Sequence, residues 1–226
     1  MILAIDTSLG TAVAVVDPDG VVRADLASDN ALGHAEVIGT LLRQATDVAD
    51  ATAAHGSGLP APGTDRITHV AAGMGPGPFT GLRIGIAAAR AFALARAIPV
   101  VPVPSHDAVA LGALLAAEIE GVETGRFAVV TDARRREFAY TVYEGLDDDG
   151  LPVRVAEPAL VPRDELDTRL EELGAARLDA SVVPAALLGL AAARALAADR
   201  QLATAEPLYL RSPDVTLGHA PKRVSA

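Results

Sequence analysis

The sequence predicts a mixed α/β protein made of two copies of one structural unit, and three observations carry that prediction. Short apolar runs bounded by Asp, Gly and Pro open each half of the 226-residue chain. Segments with apolar residues at helical spacing follow them. The order of elements then restarts near residue 127, as expected of an internal duplication.

In chain order, Ile2 to Ile5 is a first strand ended by Asp6-Thr7-Ser8-Leu9-Gly10. Ala12 to Val16 is a second, broken at Asp17-Pro18-Asp19-Gly20, and Val21 to Ser28 a third, so a β-meander opens the protein. From His34 to Asp50 the residues Ile38, Leu41, Leu42, Ala45, Val48 and Ala49 recur with a helical period, which makes this an amphipathic helix. His55 to Asp65, rich in Gly, Pro, Ala and Ser, reads as a loop, and Ile67 to Ala72 as the next strand. Gly73 to Gly85 leads into an Ala-rich helix reaching about Ala97, with Thr80 as its N-cap. The first unit is therefore βββαβα.

A linking segment with Pro99, Pro102 and Pro104 precedes a helix over Asp107 to Glu120. In the second unit, Phe127 to Thr131 and Glu137 to Tyr143 are strands, and Asp147-Asp148-Asp149-Gly150 is a solvated turn into a third. Helices follow over Arg163 to Leu173, capped by the Pro162 to Asp164 region, and over Pro184 to Arg200. The strand expected between them is reduced to Ser181-Val182-Val183. Glu206 to Arg211 reads as a short ordered element. The division is an N-terminal lobe over 1–101, a C-terminal lobe over 102–211 and a mobile tail over 212–226.

Half the residues are apolar and 21% are charged, a composition of folded proteins. The net charge of −10 gives a field that repels phosphate backbones, and with no Trp, three Tyr and four Phe there is little to stack bases on. A stand-alone RNA-reading module is disfavoured; any nucleic acid has to be held by a partner. The absence of cysteine excludes disulfides, thiolate zinc sites and cysteine nucleophiles and fits a reducing compartment. Neither a signal-like start nor a membrane-spanning apolar run is visible, so a cytoplasmic location is expected.

Two segments have the composition of phosphate-binding backbone. Asp6-Thr7-Ser8 at the end of the first strand reads either as a phosphate-contacting turn with a metal-linked carboxylate or as an Asx or Ser/Thr turn closing a hairpin. Gly75, Gly77 and Thr80 lie where a glycine loop meets a helix and read either as an anion cradle or as a tight strand-to-helix crossover. Neither a P-loop lysine nor a dinucleotide fingerprint is present. Within the helix, Gly81, Gly85, Ala89, Ala93 and Ala97 form a ridge without bulk, suited to close approach of another helix, and Ile84, Ala88, Ala91, Phe92 and Ala95 form a second apolar face.

The histidines His34, His55, His69, His106 and His219 never pair at i, i+4, so no metal site is expected and each reads as a cap or surface residue. Ser8, Ser105 and His106 form no nucleophile elbow. Asp132, Arg134, Arg135, Arg136 and Glu137 make a charged turn that is either a solvated loop or a docking point between the halves.

Four strings together resemble the TsaB family, also called YeaZ, across nearly the whole chain: ILAIDTS from Ile2 to Ser8, GPGPFTGLRIG from Gly75 to Gly85, Asp132-Ala133-Arg134-Arg135 with Glu137 and Tyr140, and Pro207-Leu208-Tyr209-Leu210-Arg211. Two departures stand out. Pro78 occupies a place where the family usually has Ser, and Glu172 to Val183 lacks the usual Gly-Asp-Gly stretch, so the second lobe is either trimmed or incomplete there.

The resemblance implies an actin-like (ASKHA) fold of two lobes. It implies a non-catalytic scaffold that pairs with a TsaD-type catalytic subunit, with a TsaE-type ATPase joining the complex, in threonylcarbamoylation of tRNA. It implies tRNA contact only through that complex, a homodimer when the chain is alone, no membrane, no required cofactor and at most weak nucleotide binding in the cleft. The dimerising surface it implies comprises Ile38, Leu41, Leu42, Ala45, Gly85, Ala89, Phe92 and Ala93. Arg83, Asp132, Arg134, Tyr209 and Arg211 are family-motif residues without an assigned role. The competing reading is a small actin-fold ATPase or phosphotransferase using Asp6 and the glycine loop.

Overall fold

The computed structural model describes residues 1–28, 33–54 and 66–211. Strands β1 (Ile2–Asp6), β2 (Thr11–Val16) and β3 (Val22–Ser28) lead to helix α1 (His34–Ala54), β4 (His69–Gly73), α2 (Phe79–Arg96), β5 (Val100–Val103) and α3 (Ser105–Glu120). The second series is β6 (Phe127–Asp132), β7 (Glu137–Leu146), β8 (Pro152–Pro162), α4 (Leu166–Leu173), β9 (Ala176–Asp179) and α5 (Ala185–Ala197). The first sheet has the order β3-β2-β1-β4-β5 and the second β8-β7-β6-β9, so the two repeat one another as 3-2-1-4. In both, the first and fourth strands pair in parallel: Ile2 with His69, and Phe127 with Ala176. The expected duplication is present.

Burial explains the apolar runs. β1 is buried at every residue because it sits mid-sheet with helices on both faces, whereas edge strand β3 alternates. One face of the first sheet packs on α1 and α2 through Leu3, Ile5, Leu41, Val70 and Leu82. Its other face packs on α3 and α5 through Ile2, Ala4, Val16, Leu111 and Leu188. The second sheet lies against α3 through Phe127 and Tyr143 and carries α4 outside through Val130 and Leu166. The result is a stack of helix, sheet, helix, sheet and helix layers.

Its middle layer accounts for the small residues of α3 and α5. A Cβ on Gly189 would come within 2.6 Å of Val16 Cγ2, and one on Gly112 within 2.6 Å of Leu187 Cδ1, so the layer is as thin as the side chains allow. No helix among the described residues is long and apolar enough to cross a membrane.

Several expectations need correction. The Pro-rich link contains β5, which pairs with β4 from Val70↔Val100 to Gly73↔Val103; as the last strand of its sheet it tolerates the missing N–H of Pro102. The boundary at 101 therefore cuts a strand, and α5, from the second half, packs on the first sheet. The strand placed at Ser181 to Val183 is instead β9 at Ala176–Asp179, whose charged residues hid it because it is mostly exposed. Thr80 is not the N-cap: Pro78 occupies that position and supplies no side-chain cap, and Thr80 is an exposed residue of the first turn. The region Pro162 to Asp164 does not cap α4 either; its N-cap is Glu165. Glu206 to Arg211 is ordered, as expected, but without helix or strand. The expected loop over 55–65 and tail over 212–226 lie outside the described residues.

Candidate functional site between the lobes

The end of β1, the glycine loop and the β6–β7 turn come from distant parts of the chain and meet around one cleft of about 1190 Å³. Ser8, Gly77 and Thr80 line it from the first lobe, and Asp132 and Arg134 from the second. Tyr209 and Arg211 line it from the C-terminal segment. Asp6, Thr7 and Gly75 do not: they are buried behind the first wall. Arg83 is exposed on α2 outside the lining.

The Asp6 carboxylate is fully engaged within the protein. Its Oδ1 accepts from the Ser8 amide (2.8 Å) and the Ser8 hydroxyl (2.5 Å), and its Oδ2 accepts from the Ser105 hydroxyl (2.5 Å). Burial raises its pKa, and these donors offset that only in part. The glycine loop closes over this network. A Cβ on Gly73 would overlap the Asp6 carboxylate, and one on Gly77 would lie 2.7 Å from Ser8 Cβ. Ser105 Oγ also accepts the Gly75 amide at 3.0 Å. The two phosphate-loop candidates are thus packed on each other, which is the arrangement of a hairpin turn and a tight crossover.

The ridge on α2 has a similar role. Gly81 and Gly85 let the helix settle on the end of β1, where the Thr7 hydroxyl donates to the Gly81 carbonyl (2.7 Å) and accepts the Gly85 amide (3.1 Å). A Cβ at Gly85 would overlap that hydroxyl. Ala89 is 0% and Ala93 3% exposed, within the same core as Ile38, Leu41 and Ala45, and Leu42 and Phe92 are half-buried against it. Six of the eight residues named as a partner surface are therefore internal packing between α1, α2 and the first sheet, and Leu42 and Phe92 border that core with part of their surface exposed. The ridge reads as an interface in sequence because close approach has one signature whether the neighbour is this chain or another.

Sequence reasoning missed the first turn of α3, where Ser105, His106 and Asp107 are all buried. Ser105 binds the first lobe as above. His106 bridges the hydroxyls of Thr131 (3.0 Å) and Thr141 (2.8 Å), and burial lowers its pKa to about 3, so it is a neutral core group and not the cap or surface residue expected. Asp107 accepts from the Tyr143 hydroxyl (2.7 Å) and pairs with Arg154 (3.4 Å); burial raises its pKa to about 6 despite those partners. His34 is buried too, with Nδ1 2.8 Å from the Thr11 hydroxyl. The signal available in sequence was three consecutive polar residues opening an otherwise apolar helix. Among the described residues no group of His, Asp and Glu is placed to hold a metal ion.

The C-terminal motif straps one lobe to the other. Leu208 donates its amide to the Met74 carbonyl (2.8 Å), and the Tyr209 ring stacks on Phe79 at 4.0 Å between centroids. Arg83 lies over Phe79 (4.6 Å) and donates to the Tyr209 hydroxyl (3.1 Å). Arg211 pairs with Glu137 on β7.

Comparison with known proteins places this architecture. Residues 30–159 match the family model described as TsaD, tRNA N6-adenosine threonylcarbamoyltransferase. An uncharacterized protein of Mycobacterium tuberculosis is 37% identical over 163 residues, 69% of this chain and 65% of that protein. One of Mycobacterium leprae is 44% identical over 99 residues, 43% of this chain and 23% of that protein. The chain thus spans less than two thirds of the length of these relatives. Among solved structures, YeaZ from Pseudomonas aeruginosa matches with TM-score 0.66 and 27% identity, covering 92% of this chain and 99% of that one. A further structure, of an uncharacterized protein with similarity to peptidase YEAZ from Pseudomonas aeruginosa, matches with TM-score 0.67 and 27% identity over 93% of this chain and 99% of that one. With its repeated 3-2-1-4 sheets, shared middle layer and strapped cleft, the chain belongs to the TsaD-type tRNA N6-adenosine threonylcarbamoyltransferase family, in its YeaZ (TsaB) branch, and has the actin-like fold.

Proposed function

We propose that this chain is the non-catalytic partner subunit of a complex that installs threonylcarbamoyladenosine on tRNA, acting by pairing with a TsaD-type catalytic subunit that a TsaE-type ATPase joins. The observation that carries this reading is the engagement of Asp6. A carboxylate that works through a metal and phosphates has to face open space, and this one is buried with Ser8 and Ser105 on both oxygens. The ATPase or phosphotransferase reading needs that group and the glycine loop free. The cleft retains room for a nucleotide held weakly, without a chemical role.

The surface that suits the partner is the outward side of α1 and α2. Leu94 is 83% exposed and Val48 43%, and Ala87, Ala91 and Ala95 are exposed beside Leu94 on α2. Small exposed apolar residues on neighbouring helices allow close approach of a second helix pair.

Reconstitution tests the reading. With the catalytic subunit, the ATPase, Mg-ATP and a pre-activated threonylcarbamoyl donor (threonylcarbamoyl-adenylate, which transfers its acyl group to the tRNA adenosine and releases AMP), tRNA modification is expected to require this chain, while the chain alone turns over no Mg-ATP above background. Modification at an equal rate without it, or ATP turnover by it alone, overturns the proposal.

A further inference from the structure

The turn between β6 and β7 holds the sequence's only run of three basic residues, Arg134, Arg135 and Arg136. All three are exposed and have left-handed backbone, with φ of 62°, 52° and 63°, a conformation that is costly for arginine. The turn is held in it by its surroundings. Arg134 donates its amide to Asp132 Oδ1 (2.8 Å), Glu137 donates to the Arg134 carbonyl (3.0 Å), and Arg163 donates to the Arg136 carbonyl (2.9 Å).

The charges are sorted in one direction. The two carboxylates of the turn are neutralised from outside it, Asp132 by Arg163 (2.7 Å) and Glu137 by Arg211. Among the described residues, no carboxylate pairs directly with the Arg134 or Arg136 guanidinium, although the Arg134 charge also helps hold Asp132 ionised. Arg163 and Arg177 flank the turn, each over the Phe138 ring at 5.1 and 4.9 Å. Arg134 and Arg135 line the cleft and Arg136 does not, so the row of cations begins at the cleft mouth and continues beyond it. A rim of arginines fits a row of phosphates, which spaces its charges along a line, better than it fits a single carboxylate or nucleotide.

We propose that the turn Arg134–Arg136 is the surface through which this chain touches the tRNA phosphate backbone inside the assembled complex. This rests on the tRNA-modification reading above. The net charge of −10 makes the contact local: the molecule as a whole repels RNA, and the rim acts once partners hold the tRNA against it.

The test is tRNA affinity of the reconstituted complex, titrated from about 50 to 200 mM salt. Each lost phosphate contact reduces the slope of log affinity against log salt by roughly 0.7 to 0.9. The triple variant Arg134→Asn, Arg135→Asn, Arg136→Asn removes the charges with a residue that tolerates left-handed backbone, so folding is expected to survive. It should reduce the slope by about 2 and the affinity by roughly tenfold or more at the low-salt end, with pairing to the catalytic subunit unchanged. The triple Lys variant should restore most of both. Unchanged slope and affinity overturn the inference, as does loss of pairing, which would make the turn a protein-docking surface, or loss only of ADP binding to the isolated chain, which would make it a small-anion site. If the unaltered complex fails to modify tRNA, the functional reading itself fails, and the controls separate the two cases.

Discussion

Substituting Ala89 by leucine separates an internal role of the α2 ridge from an external one. Ala89 is 0% exposed in a core that also contains Leu3, Ile5, Ala45 and Val70. Leucine adds three carbons where α2 already rests on the first sheet and α1, and overpacking of this kind typically destabilises by about 1 to 3 kcal/mol. For a chain of this length each kcal/mol moves the melting temperature by about 2 to 4 °C, so a fall of roughly 2 to 12 °C is expected. The contrasting change is Ala91→Glu on the exposed side of the same helix. It should leave melting within about 2 °C, since surface changes stay within about 0.5 kcal/mol, while weakening the catalytic subunit's binding tenfold or more by burying a charge at the contact. Melting followed by circular dichroism and pairing followed by calorimetry on both variants decide the matter. Ala89→Leu with unchanged melting and lost pairing would refute the reasoning and return the interface to the ridge.

Two further predictions concern the buried polar groups. Asp6→Ala leaves the Ser8 amide and the Ser8 and Ser105 hydroxyls without their acceptor, a loss of about 2 kcal/mol or more, yet modification by the reconstituted complex, per folded molecule, should stay near normal; a well-folded, assembled variant that loses activity by orders of magnitude would revive the phosphotransferase reading. In α3, His106, lowered to about 3, contributes stability that is present above its ordinary 6.5 and lost as pH falls, whereas Asp107, raised to about 6, contributes stability present below its ordinary 3.8 and lost as pH rises through 6. Between pH 4 and 6 the two change in opposite directions by about 1.4 kcal/mol per pH unit each and largely cancel. Urea melts across that window should show stability falling on acidification in Asp107→Asn and rising in His106→Gln, and equal slopes in both variants would disprove the assignment.

The sequence by itself determined the elements and their repetition, because apolar periodicity and turn residues are local properties. The runs Ile2 to Ile5, His34 to Asp50 and Phe127 to Thr131 show their structure without reference to neighbours. The motif strings were equally legible, and Ser8, Gly77, Asp132, Arg134, Tyr209 and Arg211 do converge on one cleft. β9 was hidden because an exposed strand can be as polar as a loop, and β5 because prolines stand in for the alternation of an interior strand. Tertiary structure alone decided which surface each small residue faces. A ridge of Gly and Ala specifies only that something comes close, and the fold supplied Thr7 against Gly85 and the first sheet against Ala89. It also decided the protonation chemistry of His106 and Asp107, since a pKa depends on burial and partners brought from residues 131 to 154, which no local spacing records.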